Sequence, residues 1–307
     1  MRILSLLPSA TEIVFALGLE DSLVGVTAEC DYPPAARDKA AVSFPVVRTT
    51  SNSAADSAAG VMSAAQVDGA VATAVALGEP LYRLDEDTIR TLQPDLILAQ
   101  DLCRVCAVAS GDVTDALDRL GCTSTVLSLD PTTLDDVIGA VTAVAVAAGV
   151  PRRGRDLVVS LRHRVDEVRR LVSGADRRRV LELEWSDPPY LGGHWVPEMV
   201  EAAGGTALLA QPGESSPRVR WEDIGATAAD IVVFAPCGYG LAEAVAEGAE
   251  LLGRPEMADA GEVWALDGSA YFSRPGPRVV DGVEALAWVL HPQRVPPPPP
   301  GRARRLR

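Results

Sequence analysis

Three aromatic rings and an imidazole stand within eleven residues of this chain: Trp185, Tyr190, His194 and Trp195. Pro188, Pro189 and Pro197 stiffen the stretch, and Gly192-Gly193 lets backbone approach a ligand closely. This composition predicts an exposed loop whose rings form a platform for a flat apolar ligand. His194 either ligates the metal centre of a cofactor or makes an ordinary hydrogen bond. Tyr239 in Pro236-Cys237-Gly238-Tyr239-Gly240, and Tyr271-Phe272 ahead of Ser273-Arg274-Pro275-Gly276-Pro277, offer further rings beside small residues.

Cys103 and Cys106 form a Cys-x-x-Cys pair, which is either a redox couple, half of a metal site or two crevice-facing thiols. A complete zinc site needs four ligands, and neither a second pair at suitable spacing nor enough histidine is present. Ser9 and Thr11, in Pro8-Ser9-Ala10-Thr11-Glu12, either cap a helix or hold a polar ligand group. Tyr32 is stiffened by Pro33-Pro34, and Gln100 follows an apolar run. Glu184 and Asp187 suit either acid/base work or turn capping. No nucleophile triad and no phosphate-binding Gly-x-x-x-x-Gly-Lys loop accompanies them.

These residues gain meaning from the elements that position them. Apolar runs at 3–7, 23–27, 96–99, 125–129, 180–184, 231–235 and 263–266 read as buried strands. They alternate with helical stretches at 13–17, 87–92, 113–120, 134–149, 196–203, 241–252 and 279–290. Gly18 is placed to end the first helix. Such alternation indicates α/β lobes with largely parallel sheets. Between them Leu157, Leu161, Val165, Val168 and Val172 repeat at spacings of four or three, one stripe of a long helix. Ten arginines between Arg152 and Arg179 read as its solvated face. Residues 48–80 read as a long loop with a marginal helix at 64–76, and residues 293–307, with five consecutive prolines and a basic end, as a disordered tail.

The expected architecture is therefore α/β: two Rossmann-like lobes, 1–150 and 174–292, joined by a single helix over 151–173, with a ligand crevice between the lobes at the strand ends. The site candidates just named all follow strands in this scheme.

Composition excludes other classes. With 28 basic against 42 acidic residues the net charge is −14, which disfavours nucleic acid and anionic membrane surfaces. No apolar run reaches the ~18 residues of a membrane span. The opening residues lack the long apolar stretch of a signal peptide, and the five cysteines are odd in number and dispersed. A cytoplasmic monomer with reduced thiols is the expectation, periplasmic or extracellular only if the start is misassigned.

The Leu4–Ile13 segment, Leu92-Gln93-Pro94-Asp95-Leu96-Ile97, the helix at 151–172 and the Trp-rich second half resemble the helical-backbone class of periplasmic substrate-binding proteins. Within that class the chain looks most like the vitamin B12 (corrinoid) binders of ABC import systems. The resemblance implies a non-catalytic clamp for cobalamin and surface carboxylates that dock on a transporter permease. On these grounds Trp185, Tyr190, Trp195, Tyr239, Tyr271 and Phe272 are the expected apolar contacts. Ser9, Thr11, Tyr32, Gln100, Cys103, Cys106, His194, Cys237 and Arg274 complete the expected site. The alternatives are a haem or ferric-siderophore binder, and a thiol-dependent enzyme using Cys103 and Cys106.

Overall fold

The computed structural model describes residues 1–47, 62–101, 111 and 123–307. Cys103, Cys106 and the helix expected at 113–120 lie outside the described residues. The chain divides into two compact units. One comprises Met1–Arg48, Gly69–Pro131 and Val137–Ser160; the other comprises Thr49–Asp68, Thr132–Asp136 and Leu161–Arg307.

In the first unit the described strands are β1 (Ile3–Ser5), β2 (Leu23–Thr27), β3 (Ala40–Pro45), β4 (Tyr82–Leu84), β5 (Leu96–Ala99) and β6 (Thr125–Ser128). Their order is β4-β3-β2-β1-β5-β6, parallel throughout except for β4 against β3. Leu4, Leu6, Val42, Ile89, Ile97 and Ala99 form a core at this sheet. Gly25 sits where a Cβ would press to 2.7 Å from Leu4 Cδ1, so only glycine lets β2 lie this close to its neighbours. The helices are α1 (Pro8–Ala16), α2 (Ala64–Leu77), α3 (Glu86–Leu92), α4 (Leu134–Ala147) and α5 (Pro151–Val172), of which α2, α4 and α5 are each divided between the two units. Gly18 follows α1 at φ 65°, as its position in the sequence requires. Asp85 caps α3 by accepting the Thr88 N–H at 3.0 Å. β3 and β4 lack a readable strand pattern: four of the six residues of β3 are Ala, Ser or Pro, and β4 has only three residues.

On α5 the buried stripe is Val158, Leu161, Val165, Val168 and Val172, one residue off the expected Leu157 at its start. Gly154 explains the offset. Its bare Cα packs on Ala145, where any Cβ would collide, and it lies on the same stripe four residues before Val158.

The second unit hangs on β7 (Arg178–Ser186). β9 (Gly205–Ala207) pairs with its first residues and β8 (Pro189–Leu191) with its last, while β10 (Ile231–Phe234), β11 (Glu262–Leu266) and β12 (Ala303–Arg305) extend the sheet on the other side. Leu181, Leu183, Leu191, Val232, Phe234, Met257, Val263 and Ala265 fill its core. The remaining helices are α6 (Val196–Ala202), α7 (Trp221–Ala226), α8 (Leu241–Leu251), α9 (Gly268–Tyr271) and α10 (Val279–Leu290). No helix among the described residues is long and apolar enough to cross a membrane.

The tail departs from expectation. Residues 303–305 pair antiparallel with β11 in the register Trp264↔Arg305 to Leu266↔Ala303, and Leu306 packs against the core. Arg302 lies 3.4 Å from Asp281 and 3.6 Å from Glu284, which also hold Arg164, and Arg307 donates to the Met257 and Ala260 carbonyls. The tail covers what would be an open edge of β11, and its arginines find partners that a composition reading cannot see. Deleting residues 302–307 removes an edge strand and a core leucine. At roughly 2–4 °C per kcal/mol for a chain of this size, the unfolding midpoint is expected to fall by at least about 5 °C in a calorimetric scan. A disordered tail would leave it unchanged.

Candidate functional site

The site is built at the carboxyl end of β7. The chain reverses through Asp187 and a cis Pro188 into β8, so Trp185 faces Tyr190 across a short antiparallel pair. Pairing with β8 slips between Leu183 and Trp185, an irregularity of the kind that re-aims side chains. The Trp185 ring meets Tyr239, from the loop after β10, edge-on at 5.5 Å and 73°.

Behind this pair, two hydroxyls converge on Glu247 of α8. Ser186 Oγ donates to its Oε1, and the Tyr239 hydroxyl donates to the same carboxylate. Burial raises the Glu247 carboxyl above the ordinary range, while these donors and neighbouring Glu250 and Asp187 pull in opposite directions. Burial, then the charge of Glu247, pushes the Tyr239 phenol up to about 12.

Ser186, Tyr239 and Glu247 line a cavity of ≈ 690 Å³, all of whose walls belong to the second unit. Met62–Gln66, at the start of α2, form one wall; Ser186, Asp187, Tyr239, Glu243, Glu247, Glu250 and Arg254 line the rest. The Arg254 guanidinium lies 4.0 Å over the Trp221 ring and 3.5 Å from Glu256. Glu243, Glu247 and Glu250 escaped the sequence reading. Their signal is a spacing of four then three, which puts carboxylates on one face of the helix that follows a strand-end loop.

The other expected residues separate by role. Trp195 and Phe272 are buried, and the indole Nε1 donates to the Phe272 carbonyl at 2.8 Å. They brace the unit's interior and do not form an exposed platform. Tyr239 is also buried apart from its edge on the cavity. The stretch expected to be a loop is largely β8 and the start of α6, which is why its rings are packed.

Gly192 and Gly193 give close approach to protein, not to ligand. A Cβ on Gly192 would strike the Glu182 carboxylate, and one on Gly193 the backbone of Ser215 and Ser216. His194 sits at φ 51° with its ring stacked 5.8 Å from Trp195. Its Nδ1 is buried without a partner, and burial lowers its pKa, so the ring is neutral near pH 7.

Tyr271 lies half-buried between the Arg302 and Arg278 guanidiniums, at 5.3 and 5.8 Å. Arg274 and Cys237 are half-buried nearby in the chain order of the strand ends. In the first unit, Ser9 and Thr11 are buried inside α1, whose N-cap is Leu7, so neither caps it. Thr11 Oγ1 lies 3.0 Å from Cys30 Sγ. Gln100 is buried at the end of β5, while Tyr32 is exposed.

Glu182, also missed, is buried, 6% exposed. Its Oε2 accepts the Gly192 N–H at 2.8 Å, and Oε1 has no partner. Burial, then the nearby charge of Glu184, holds its pKa well above the carboxylate range.

A family model described as periplasmic binding protein matches residues 3–259. A vitamin B12-binding protein of Vibrio cholerae serotype O1 is 25% identical over 301 residues, covering 94% of this chain and 88% of that one. The crystal structure of the periplasmic vitamin B12 binding protein of Vibrio cholerae superposes with a TM-score of 0.64 at 24% identity, covering 94% and 96% of the two chains. The periplasmic haem-binding protein of Roseiflexus sp. RS-1 superposes with a TM-score of 0.67 at 22% identity, covering 95% and 98%. These matches overturn the cytoplasmic placement expected above, since the family and its relatives are periplasmic. The opening residues do not carry the information needed for that inference.

A carboxyl with a raised folded pKa stabilises the fold below the ordinary carboxylate range and loses that contribution as pH rises toward the folded value. Glu182→Gln keeps an acceptor for Gly192 and removes the titration. The expected outcome is a midpoint several degrees above wild type at pH 8, with the gap closing by pH 4. A gap independent of pH would show that Glu182 is ionised in the fold.

Proposed function

The chain belongs to the periplasmic binding protein family of non-catalytic solute binders, and we propose that within it this protein binds cobalamin or a related corrinoid for delivery to an ABC permease. The observation that carries the reading is a carboxylate-lined cavity with Tyr239 in its wall and the Trp185 ring packed edge-on against that tyrosine. An edge of aromatic surface suits the face of a flat macrocycle, and the acceptors below it suit the carboxamides on a corrinoid rim. The similarity to vitamin B12-binding proteins over nearly the whole chain supports the same ligand.

In this reading Trp185, Tyr190 and Tyr239 contact the macrocycle, with Tyr271, Arg274, Cys237 and His194 at the same set of strand ends. Trp195 and Phe272 act beneath them as braces. A haem ligand is the second reading, favoured by the equally close fold of the Roseiflexus haem binder; a neutral His194 suits either metal.

Protein purified from a cobalamin-fed host is expected to carry a corrinoid absorption spectrum; a Soret band from hemin-fed cells with no corrinoid would favour haem. Trp185→Ala is expected to weaken cobalamin binding at least tenfold in calorimetry, about 1.4 kcal/mol. An unchanged affinity would remove the pair from the site.

A further inference from the structure

We infer that the cavity selects its ligand by charge, admitting a macrocycle edged with uncharged amides and rejecting one edged with carboxylates, through Glu243, Glu247 and Glu250 of α8 with Asp187. This rests on the reading that the cavity is where the ligand's rim sits.

Among the described residues lining the cavity, four carboxylates face one guanidinium, and that cation is already engaged by Glu256 and the Trp221 ring. Two of the cavity's hydroxyl donors are spent on a carboxylate of the same wall. Ser186 and Tyr239 both give their hydroxyl protons to Glu247. At the start of α2 the backbone N–H groups of Ser63 and Gln66 are taken by Gln66 Oε1 at 2.8 Å and Ser63 Oγ at 3.3 Å, so that wall offers only neutral side-chain donors, the Ser63 hydroxyl and the Gln66 amide. The dipole of α2 is worth about half a positive charge, against full charges on the opposite wall.

An incoming carboxylate would therefore meet four acceptor-only groups of like charge against a few neutral donors. An ionised carboxylate only accepts, whereas an amide N–H₂ donates twice. Specificity here comes from penalising the wrong ligand as well as welcoming the right one. Haem, with its two propionates, falls on the rejected side. So does a corrin ring whose amides are replaced by acids.

The test compares probes that differ in charge at one ring. Dicyanocobinamide, hydrolysed cobyrinic acid and hemin are titrated into wild type, Glu243→Gln/Glu250→Gln, and the triple variant that adds Glu247→Gln. Wild type is expected to prefer the amide over the acid at least a hundredfold. The double variant, which changes two exposed side chains and keeps the Ser186–Glu247–Tyr239 contacts, is expected to narrow that preference at least tenfold. Raising salt on wild type is expected to narrow it too, with no dependence on how any variant folds.

Equal wild-type affinities for amide and acid would overturn the inference, as would a preference unmoved by both the double variant and salt. If neither corrinoid binds but hemin binds only once the glutamates are replaced, charge selection stands and the corrinoid reading fails. Tight hemin binding to wild type that the variants leave unchanged overturns the inference alone if cobinamide also binds. No binding of any probe to any of the proteins overturns both.

Discussion

A carboxyl group buried without compensation is among the costliest things a fold can hold, and the second unit is assembled around one. Glu182 sits in the middle of β7, closed off from water, with a single backbone donor from Gly192. That contact fixes how the chain returns after β8, and only glycine fits there. Two residues along, Glu184 accepts from Ser216 Oγ at 2.7 Å and holds the next loop. With both loops pinned, the slip in the β7–β8 ladder leaves Trp185 on Tyr239 and Ser186 on Glu247. The polar row of β7 thus fixes the loops around its carboxyl end and the Ser186 wall of the cavity.

The aromatic residues divide by the same logic. A scarce supply of fourteen rings serves two tasks. Trp195, hydrogen-bonded to the Phe272 carbonyl, ties the start of α6 to the segment after β11. Trp185 and Tyr239 stay near the surface, where a polar tip and an apolar face are both useful. Tyr271 stands apart from both: two guanidiniums lie over its ring, one of them from Arg302 at the start of the C-terminal strand's approach. The tail is therefore structural in two senses, closing a sheet edge and steadying a strand-end ring.

Much of this was legible beforehand because it depends on periodicity. The strand at 96–99 after Pro94-Asp95, the helix over 151–172 and the alternation of strands and helices all follow from local pattern. What escaped depends on contacts distant in sequence. β8 and β12 are three residues each and exist because a neighbour offers an edge. Trp185 and Tyr239 could be singled out as aromatics at strand ends. Their partner Glu247 could not, since its helix is recognised by its apolar face while its acidic face looks like ordinary solvated surface. The exposure of Trp195 was misjudged for the converse reason: proline and glycine suggested a loop where they mark tight packing.

The account stands or falls on whether the ligand's rim meets α8. The most direct measurement is a crystal structure of the protein grown with cobalamin. The account predicts the corrin ring against Trp185 and Tyr239, with at least one carboxamide nitrogen within hydrogen-bonding distance of Glu243, Glu247 or Glu250. A corrinoid seated elsewhere on the molecule, with that cavity holding only solvent, would contradict it.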